Sequence, residues 1–304
     1  MPYECNAGGC GSCKYELIDG EVVSDIENPQ GLRRNDIRKG IRLACISRPM
    51  SDCTIAARLD DTYVPQIRPE KRTAVLLSRV PLTHDLWEFS LRADGPADFL
   101  PGQYAKVSAP SFNGPRSYSM SNTANEDGIW QFQIKRVPGG SATSILFDSN
   151  LDEVKFGIDA PYSIAHLDTE SDRSVVCIAG GSGLAPMVSI LRGLSELPSR
   201  NSPPMLYYGA RTPADIVDPA YFTNLSGFDP GRQYLPVVSE PDDSSSHTGP
   251  TGFIHEYLAT ELPKDCAEID FYLAGPPPMV DAVRRHLVLD RKVPIDHLHY
   301  DRFF

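Results

Sequence analysis

Four cysteines near the start of the sequence constrain this chain more than any other feature. Three of them, Cys5, Cys10 and Cys13, have the spacing Cys-x4-Cys-x2-Cys in a loop that also contains three glycines, and Cys45 follows in the segment RLACISRP. Glycines allow a backbone to turn tightly, so that its amide groups can face sulfur atoms. The pattern therefore indicates four thiolates that share one metal centre.

Three kinds of chemistry use cysteines at short spacings. A zinc ribbon needs two Cys-x2-Cys pairs, but Cys45 has no cysteine two or three residues away. Disulfides need an oxidising compartment, and the first residues lack the basic and apolar segments of a secretory signal. The spacing instead has the plant-type pattern, which predicts a 2Fe-2S cluster on all four cysteines. The remaining cysteines have alternating apolar neighbours and are predicted to be buried: Cys53, Cys177 and Cys266.

The acidic composition limits the kinds of partner. The sequence has 29 basic and 40 acidic residues, for a net charge of −11, which disfavours nucleic acid and anionic membranes. Residues 1–62 hold ten acidic and eight basic residues, so most of the negative charge lies downstream. No apolar run is long enough to span a membrane. We expect a cytoplasmic, monomeric protein.

The strand and helix patterns predict three domains in 304 residues. Residues 1–62 form an α+β module, in which KYELIDGEVVSD has the pattern of a hairpin that turns at Asp19-Gly20. Residues 71–167 contain short alternating strands broken by glycine and proline, which predict an antiparallel β-barrel. In residues 168–304 strands alternate with helices, which predicts a doubly wound parallel α/β sheet. The segment PDDSSSHTGP is predicted to be an exposed loop.

Two motifs indicate dinucleotide binding. Gly180, Gly181 and Gly183 lie between a strand and a helix, where backbone amides and the positive helix end can accept a diphosphate, although a simple tight turn would use the same residues. The segment RSYSMSN places Arg116 and Tyr118 on one face of a strand. A guanidinium suits a diphosphate, and a tyrosine ring suits an aromatic ring system. A surface arginine on an ordinary strand is the alternative for each residue alone.

Across its whole length the chain resembles reductase components of bacterial multicomponent oxygenases, especially those of toluene- and phenol-type diiron monooxygenases. The similar segments are PYECNAGGCGSCK, RSYSMSN, GGSGLAPMVS, GPPPM and HYDRFF. The resemblance implies a ferredoxin domain of the β-grasp type, then an FAD-binding barrel and a nicotinamide domain. It also implies NADH as the electron donor, with FAD converting a two-electron hydride into single electrons for the cluster.

The electron acceptor implied by the resemblance is an oxygenase component or its Rieske or ferredoxin protein. Reductases that serve a Rieske dioxygenase or a deoxysugar dehydrase are enzyme alternatives. A partner protein that keeps the fold without working redox centres is an alternative of another class. Flavin and cluster absorption bands would separate the enzymes from the colourless partner.

The resemblance assigns roles to residues of the barrel and of the last domain. Arg116 would hold the FAD diphosphate, Tyr118 would flank the flavin ring, and Ser119 would bond near the nitrogen that accepts the hydride. Further FAD contacts are implied for Ile134, Lys135, Val137, Gly140 and Thr143. The nicotinamide dinucleotide would contact Gly181, Ser182, Gly183, Pro186, Gly275 and Pro276. Aromatic residues at the end of HYDRFF would lie near the flavin: Phe303 and Phe304.

Two residues after a later strand bear on the choice of dinucleotide. Arg211 could accept the 2'-phosphate of NADPH, but it is the single basic residue in the segment Arg211-Thr212-Pro213-Ala214-Asp215. Asp215 is expected to repel that phosphate or to bond a ribose hydroxyl. The sequence therefore favours NADH.

The chain departs from its relatives in three places. Relatives commonly have Cys-Gly-Pro where this chain has Ala274-Gly275-Pro276, and since that thiol lies beside the reacting carbon, we expect slower or differently oriented hydride transfer. Family Gly-Pro-Tyr-Gly appears here as Ala-Pro-Tyr-Ser at residues 160–163. Relatives also carry a hairpin and a helix before the first ligand cysteine. We therefore expect this form to reduce dyes with NADH but to hold its cluster incompletely and to reduce protein acceptors poorly.

Overall fold

The computed structural model describes residues 1–148, 150–197, 202–241 and 247–304. Half of the predicted loop PDDSSSHTGP, residues 242–246, lies outside the described residues. The chain divides into two compact units, Met1–Gln66 together with Phe304, and Ile67–Phe303. Within the described ranges, every helix is too short or too polar to cross a membrane.

The first unit contains short strands and one short helix. Its elements are β1 (Lys14–Asp19), β2 (Val22–Ser24), α1 (Arg34–Arg38), β3 (Ile41–Leu43), β4 (Ser47–Pro49) and β5 (Thr54–Ala57). β1 is the middle strand of an antiparallel sheet with the order β3-β1-β5, while β2 pairs with β4. The predicted hairpin between β1 and β2 is therefore wrong, because β3 and β5 occupy both edges of β1.

An antiparallel barrel begins the second unit. Its elements are β6 (Glu70–Pro81), β7 (Leu86–Ala93), β8 (Tyr104–Ser108), β9 (Arg116–Ser119), β10 (Ile129–Lys135), α2 (Ser141–Asp148) and β11 (Lys155–Tyr162). The strand order is β10-β7-β6-β11-β8-β9, and a bridge between Met120 and Phe132 nearly closes the sheet at its two ends. Trp130, Phe132 and Ile134 alternate along β10 and fill the core. The predicted barrel is confirmed.

A parallel sheet completes the second unit. Its elements are β12 (Ser174–Gly180), α3 (Leu184–Glu196), β13 (Met205–Ala210), α4 (Pro230–Gln233), β14 (Tyr234–Val238), α5 (Ile254–Glu261), β15 (Ile269–Gly275), α6 (Pro277–Arg285) and β16 (Leu298–Arg302). The strand order is β14-β13-β12-β15-β16. Alternate residues of β12 enter two cores on opposite faces of the sheet, which explains its continuous apolar sequence. The order reverses next to β12, where doubly wound sheets bind ligands.

Candidate cofactor sites

The four cysteines predicted as ligands form two pairs in the first unit. The thiol of Cys5 is hydrogen bonded to the sulfur of Cys10, and the thiol of Cys45 to the sulfur of Cys13. Backbone amides also face these atoms: the N–H groups of Ala7 and Cys10 donate to Cys5 Sγ, each at 3.4 Å. Two sulfur pairs within a shell of amide donors match the four thiolates of a two-iron cluster.

The acidity of the thiols follows from this pairing. The hydrogen bond from Cys5 lowers the pKa of Cys10 to about 5, and the one from Cys45 lowers the pKa of Cys13 to about 7. The same hydrogen bonds, together with burial, raise the pKa values of Cys5 and Cys45. Each pair therefore contains one sulfur that is ready to bind metal as a thiolate.

Glycines make the cluster loop possible. Gly8 and Gly11 have φ angles of +76° and +77°, which L side chains rarely adopt. A Cβ on Gly11 would lie 2.6 Å from the carbonyl oxygen of Gly31. Gly31 in turn donates its N–H to the carbonyl of Gly8 at 2.9 Å. The loop thus packs directly against the backbone that precedes α1.

The remaining cysteines divide into two kinds. Cys177 and Cys266 are buried, as predicted, in the two cores of the parallel sheet. The prediction is wrong for Cys53, which is half-buried in the first unit and whose thiol donates to the carbonyls of Glu21 and Ser51. Cys53 follows a turn, where alternation no longer determines which side of the chain is covered.

Two anion-binding features of the barrel meet at one place. Arg116 on β9 extends to the beginning of α2, where its guanidinium donates to Ser141 Oγ at 3.4 Å. The same guanidinium bonds the carbonyls of Asn113, Gly114 and Pro115, which fix its position. The first turn of a helix presents amide donors and a partial positive charge. A diphosphate would therefore meet both the arginine and the helix end.

The turn before α2 is held by its own side chains. Thr143 Oγ1 accepts from the Val137 N–H at 3.2 Å and contacts the carbonyl of Gly140 at 3.3 Å. A Cβ on Gly140 would lie 2.6 Å from that hydroxyl. Val137 itself is exposed. Of these predicted FAD contacts, Val137 presents a side chain, while Gly140 and Thr143 shape the turn.

The predicted flavin residues on β9 and β10 differ in how their side chains are placed. Tyr118 packs at the edge of the barrel core, and burial raises its pKa to about 12, so its hydroxyl is protonated at neutral pH. Ser119 is buried and lies opposite Tyr104 in the sheet register. Ile134 on β10 points into the barrel core, which leaves only its backbone for the flavin.

Lys135 lies at the junction of the barrel and the parallel sheet. Its Nζ is 2.7 Å from Asp215 Oδ1 and 3.1 Å from Asp85 Oδ2. Its side-chain stem runs over Gly181, where an added Cβ would lie 3.6 Å from Lys135 Cδ. The structure therefore places the side chain of Lys135 beside Gly181 of the glycine loop, and not only beside the predicted flavin residues of the barrel. His84 completes a group of possible metal ligands with the two aspartates, but the ammonium of Lys135 already contacts both carboxylates.

Asp215 has a different environment from the one the sequence suggested. Its second oxygen accepts from the N–H and the hydroxyl of Thr212, both at 2.9 Å, so both oxygens have partners within the chain. Burial alone raises the carboxyl pKa, but the bonds from Lys135 and Thr212 outweigh it and lower the pKa to about 2. In the structure this carboxylate binds Lys135, and it is not placed to bond a ribose hydroxyl as the sequence suggested. Arg211 is exposed directly after β13.

The glycine loop after β12 packs against the end of β15. A Cβ on Gly183 would overlap the carbonyl of Ala274, and one on Gly180 would lie 2.5 Å from Met279 Sδ. Pro186 is buried within α3, whereas Gly181 and Ser182 remain partly exposed. Among the predicted contacts in this loop, Gly181 and Ser182 are thus the ones open to a dinucleotide.

Residues predicted at the reaction centre lie around the ends of β15 and β16. Ala274 is buried, Gly275 has a φ of +147°, and Pro276 starts the turn into α6. Phe303 donates its N–H to the Gly275 carbonyl at 2.9 Å and packs against one core of the sheet. Phe304 is half exposed and groups with the first unit.

A partly buried polar network was not foreseen from the sequence. Tyr221 donates to Glu88 Oε2 at 2.6 Å, and Gln133 Nε2 donates to the Tyr221 hydroxyl at 2.9 Å. Arg192 on α3 adds a bond to the carbonyl of Ser121 at 2.8 Å. These bonds join the barrel to the parallel sheet within the second unit. Its sequence signals are Gln131 and Gln133, two polar residues that alternate with the apolar residues of β10.

Three family models match consecutive parts of the chain. Residues 1–50 match the 2Fe-2S iron-sulfur cluster binding domain. Residues 73–162 match the oxidoreductase FAD-binding domain, and residues 177–285 match the oxidoreductase NAD-binding domain. The first of these segments contains the two cysteine pairs. The second contains Arg116 and the beginning of α2, and the third contains the glycine loop after β12.

Curated relatives match over most of their length. The ferredoxin--NAD(P)(+) reductase CarAd of Metapseudomonas resinovorans is 40% identical over 306 residues, covering 100% of this chain and 91% of the relative. The xylene/toluene monooxygenase electron transfer component XylA of Pseudomonas putida is 35% identical over 289 residues, covering 95% and 81%. Among solved structures, the ferredoxin reductase in carbazole 1,9a-dioxygenase has a TM-score of 0.90 at 37% identity, covering 100% of this chain and 89% of that one.

Proposed function

Because this chain belongs to the reductase components of multicomponent oxygenases, we propose that it transfers electrons from NADH through FAD and a 2Fe-2S cluster to the oxygenase component of an aromatic or alkene monooxygenase. One observation carries the proposal. The two cysteine pairs of the first unit occur in the same chain as a barrel in which Arg116 meets the beginning of α2. FAD held at this site would supply the conversion of a two-electron hydride donor into single electrons for the cluster.

The side chains supply binding and placement rather than acid-base chemistry. Arg116 and the first turn of α2 hold the diphosphate, and Tyr118 offers a neutral ring beside the flavin. Gly181 and Ser182 admit the nicotinamide dinucleotide, because they are the open residues of their loop. Ala274 stands where relatives have a cysteine that would lie beside the reacting carbon, so we propose that hydride transfer is slower or differently oriented than in those relatives.

Replacing Arg116 tests the FAD site. We expect Arg116→Ala to lose FAD during purification while keeping its iron, because charge-assisted bonds to a diphosphate contribute about 1.5 to 3 kcal/mol each. The control is Arg92→Ala, which removes an exposed arginine from β7. The measurement is FAD and iron per protein. Full FAD content in Arg116→Ala would contradict the assignment, and a wild type with neither flavin nor cluster bands would contradict the function itself.

A ferredoxin is a second candidate for the acceptor. The observation that favours it is the 40% identity to a ferredoxin--NAD(P)(+) reductase over the whole chain. Turnover of NADH with a purified Rieske-type ferredoxin and with a purified diiron hydroxylase would separate the two acceptors. The higher kcat/KM identifies the physiological class, and equal failure with both rejects an oxygenase role.

The oligomeric state and the cellular location of the protein are also part of the proposal. We propose a monomer in the cytoplasm, where thiols stay reduced. The free state of all seven cysteines supports this view. Sedimentation at several protein concentrations tests the monomer.

A further inference from the structure

The charges of the first unit are unevenly distributed. Residues 31–42 hold five of the eight basic residues of residues 1–62 but only one of their ten acidic residues. The rest of the module is acidic, as is the whole chain at −11. We call residues 31–42 the basic segment. Its cations are Arg33, Arg34, Arg38, Lys39 and Arg42.

The basic segment presents its cations to solvent. α1 has no buried residue, and Arg34, Arg38 and Lys39 are exposed. Among the described residues, none of these three forms an ion pair. The single acidic residue, Asp36, already accepts from Lys14 Nζ and from the Arg33 N–H, each at 2.9 Å. The positive charge of the segment is therefore not neutralised within the unit.

An apolar side chain lies among these cations. Ile37 occupies the middle of α1 and is 43% exposed. It follows the neutralised Asp36 and precedes Arg38 and Lys39. An apolar centre surrounded by polar or charged residues is typical of the surfaces through which proteins associate. The helix thus combines an apolar side chain, whose burial would stabilise a complex, with positive charges that favour an acidic partner.

Both ends of the basic segment belong to the cluster site. Gly31 is hydrogen bonded to Gly8 of the cluster loop at 2.9 Å. Leu32 packs against the small core that contains Cys13 and Leu43, and β3 leads directly to Cys45. A protein bound to α1 would therefore lie next to the four cysteines that hold the cluster.

We propose that the basic segment, centred on Ile37, is the surface on which an acidic one-electron acceptor protein docks. This inference rests on the proposed function, because it names the surface through which the cluster meets its acceptor. Unlike charges accelerate association and orient the partners, whereas like charges exclude the wrong partner.

The salt dependence of the wild-type protein gives the first test. Two acceptors are compared, a Rieske-type ferredoxin with an acidic surface and the basic protein cytochrome c. We expect kcat/KM and affinity for the acidic acceptor to fall about tenfold or more between low and physiological ionic strength. For cytochrome c we expect a smaller fall, because the basic segment repels it although the chain as a whole attracts it. An affinity for the acidic acceptor that is constant or rises with salt overturns the proposal.

Charge reversal gives the second test. We expect Arg34→Glu with Arg38→Glu to weaken the Kd for the acidic ferredoxin at least tenfold at low salt, with unchanged iron content and unchanged NADH-driven ferricyanide reduction. The matched control is Arg48→Glu with Arg58→Glu, which makes the same change in net charge elsewhere in the unit. Equal losses in both double variants, or no loss in the first, overturn the proposal.

Binding is measured apart from turnover, so the two conclusions can fail separately. If the wild type binds the acidic ferredoxin through α1 but does not reduce it, the proposed function fails while the docking surface stands. If it reduces the ferredoxin with no contribution from Arg34 and Arg38, the docking surface fails while the function stands.

Discussion

The two units of this chain are stabilised by different means. In the first unit the buried apolar residues are few: Cys13, Tyr15, Leu43 and Ile46. The second unit has a barrel core and a core on each face of its parallel sheet, with aromatic residues such as Trp130, Phe132 and Phe271 almost fully buried. Apolar burial can stabilise the second unit alone. We therefore expect the first unit to depend on metal ligation, because metal binding contributes folding free energy.

Removing one cluster ligand is the strongest way to separate the units. We expect Cys10→Ser to lose nearly all iron, to unfold the first unit and to lower protein-acceptor reduction by more than about 100-fold, because the metal contributes most of that unit's stability. Ferricyanide reduction by NADH is expected to stay within about twofold, since the second unit keeps its own cores. Iron and acid-labile sulfide per FAD, with visible circular dichroism, give the measurement.

The control for that experiment is Cys53→Ser in the same unit. Cys53 lies outside the two sulfur pairs, and its thiol donates to the backbone carbonyls of Glu21 and Ser51. A serine hydroxyl can keep those bonds, so iron content is expected to stay unchanged. Retention of a full cluster by Cys10→Ser would contradict both the ligand assignment and the comparison of the units.

A clash in the second unit tests its dependence on packing. We expect Gly183→Ala to lower the free energy of unfolding of this unit by about 2 to 3 kcal/mol, because the new Cβ meets the Ala274 carbonyl in a packed interior. Both tryptophans of the chain, Trp87 and Trp130, lie in this unit. Urea unfolding followed by tryptophan fluorescence therefore measures the second unit without the first.

A glycine with more space provides the matched control. In Gly209→Ala the nearest atom to the new Cβ lies 3.6 Å away, which is ordinary contact. We expect a change below about 1 kcal/mol. Equal destabilisation by the two substitutions would show that loss of glycine, rather than the approach of β15, is responsible.

Local sequence signals predicted most of the fold but few of the contacts. Cysteine spacing and the period of the strands depend on neighbouring residues, so they indicated the cluster and the barrel correctly. β1 pairs on its two edges with β3 and β5, which are distant in the sequence. The Asp19-Gly20 turn is a local signal and does not show which strands are the partners of β1. The bond from Lys135 to Asp215 joins residues 80 positions apart. Such partners are set by the docking of two layers, and no local pattern records them.

The Lys135 to Asp215 bond makes a smaller contribution to the second unit. We expect Asp215→Asn to reduce its stability by about 1 to 3 kcal/mol at neutral pH, because a buried hydrogen bond to a charged group is lost. The folded pKa of about 2 lies below the ordinary value of 3.8. The stabilisation is therefore complete above pH about 5, decreases as pH falls through 3.8 and disappears as pH falls below about 2.

Urea unfolding at several pH values checks this expectation. The difference between wild type and Asp215→Asn should be constant from pH about 5 to 7 and should shrink below pH about 4. The control is Asp148→Asn, which removes an exposed ion pair with Arg136 and should cost less than about 1 kcal/mol. A difference that grows as the solution becomes more acidic would contradict the sign of the pKa shift.

The smallest expected effect concerns cofactor choice and leaves both units folded. Arg211 is exposed after β13 and is the single basic residue of its segment, so we expect the wild type to favour NADH over NADPH. Arg211→Ala should lower kcat/KM for NADPH by about threefold to tenfold, since an exposed charge pair contributes about 1 kcal/mol. The kcat/KM for NADH should change by less than about twofold. Arg232→Ala, an exposed arginine on α4, is the control. Steady-state kinetics with both dinucleotides decide the matter: a wild type that prefers NADPH, or an Arg211→Ala variant that loses both activities equally, would show that this arginine does not read the 2'-phosphate.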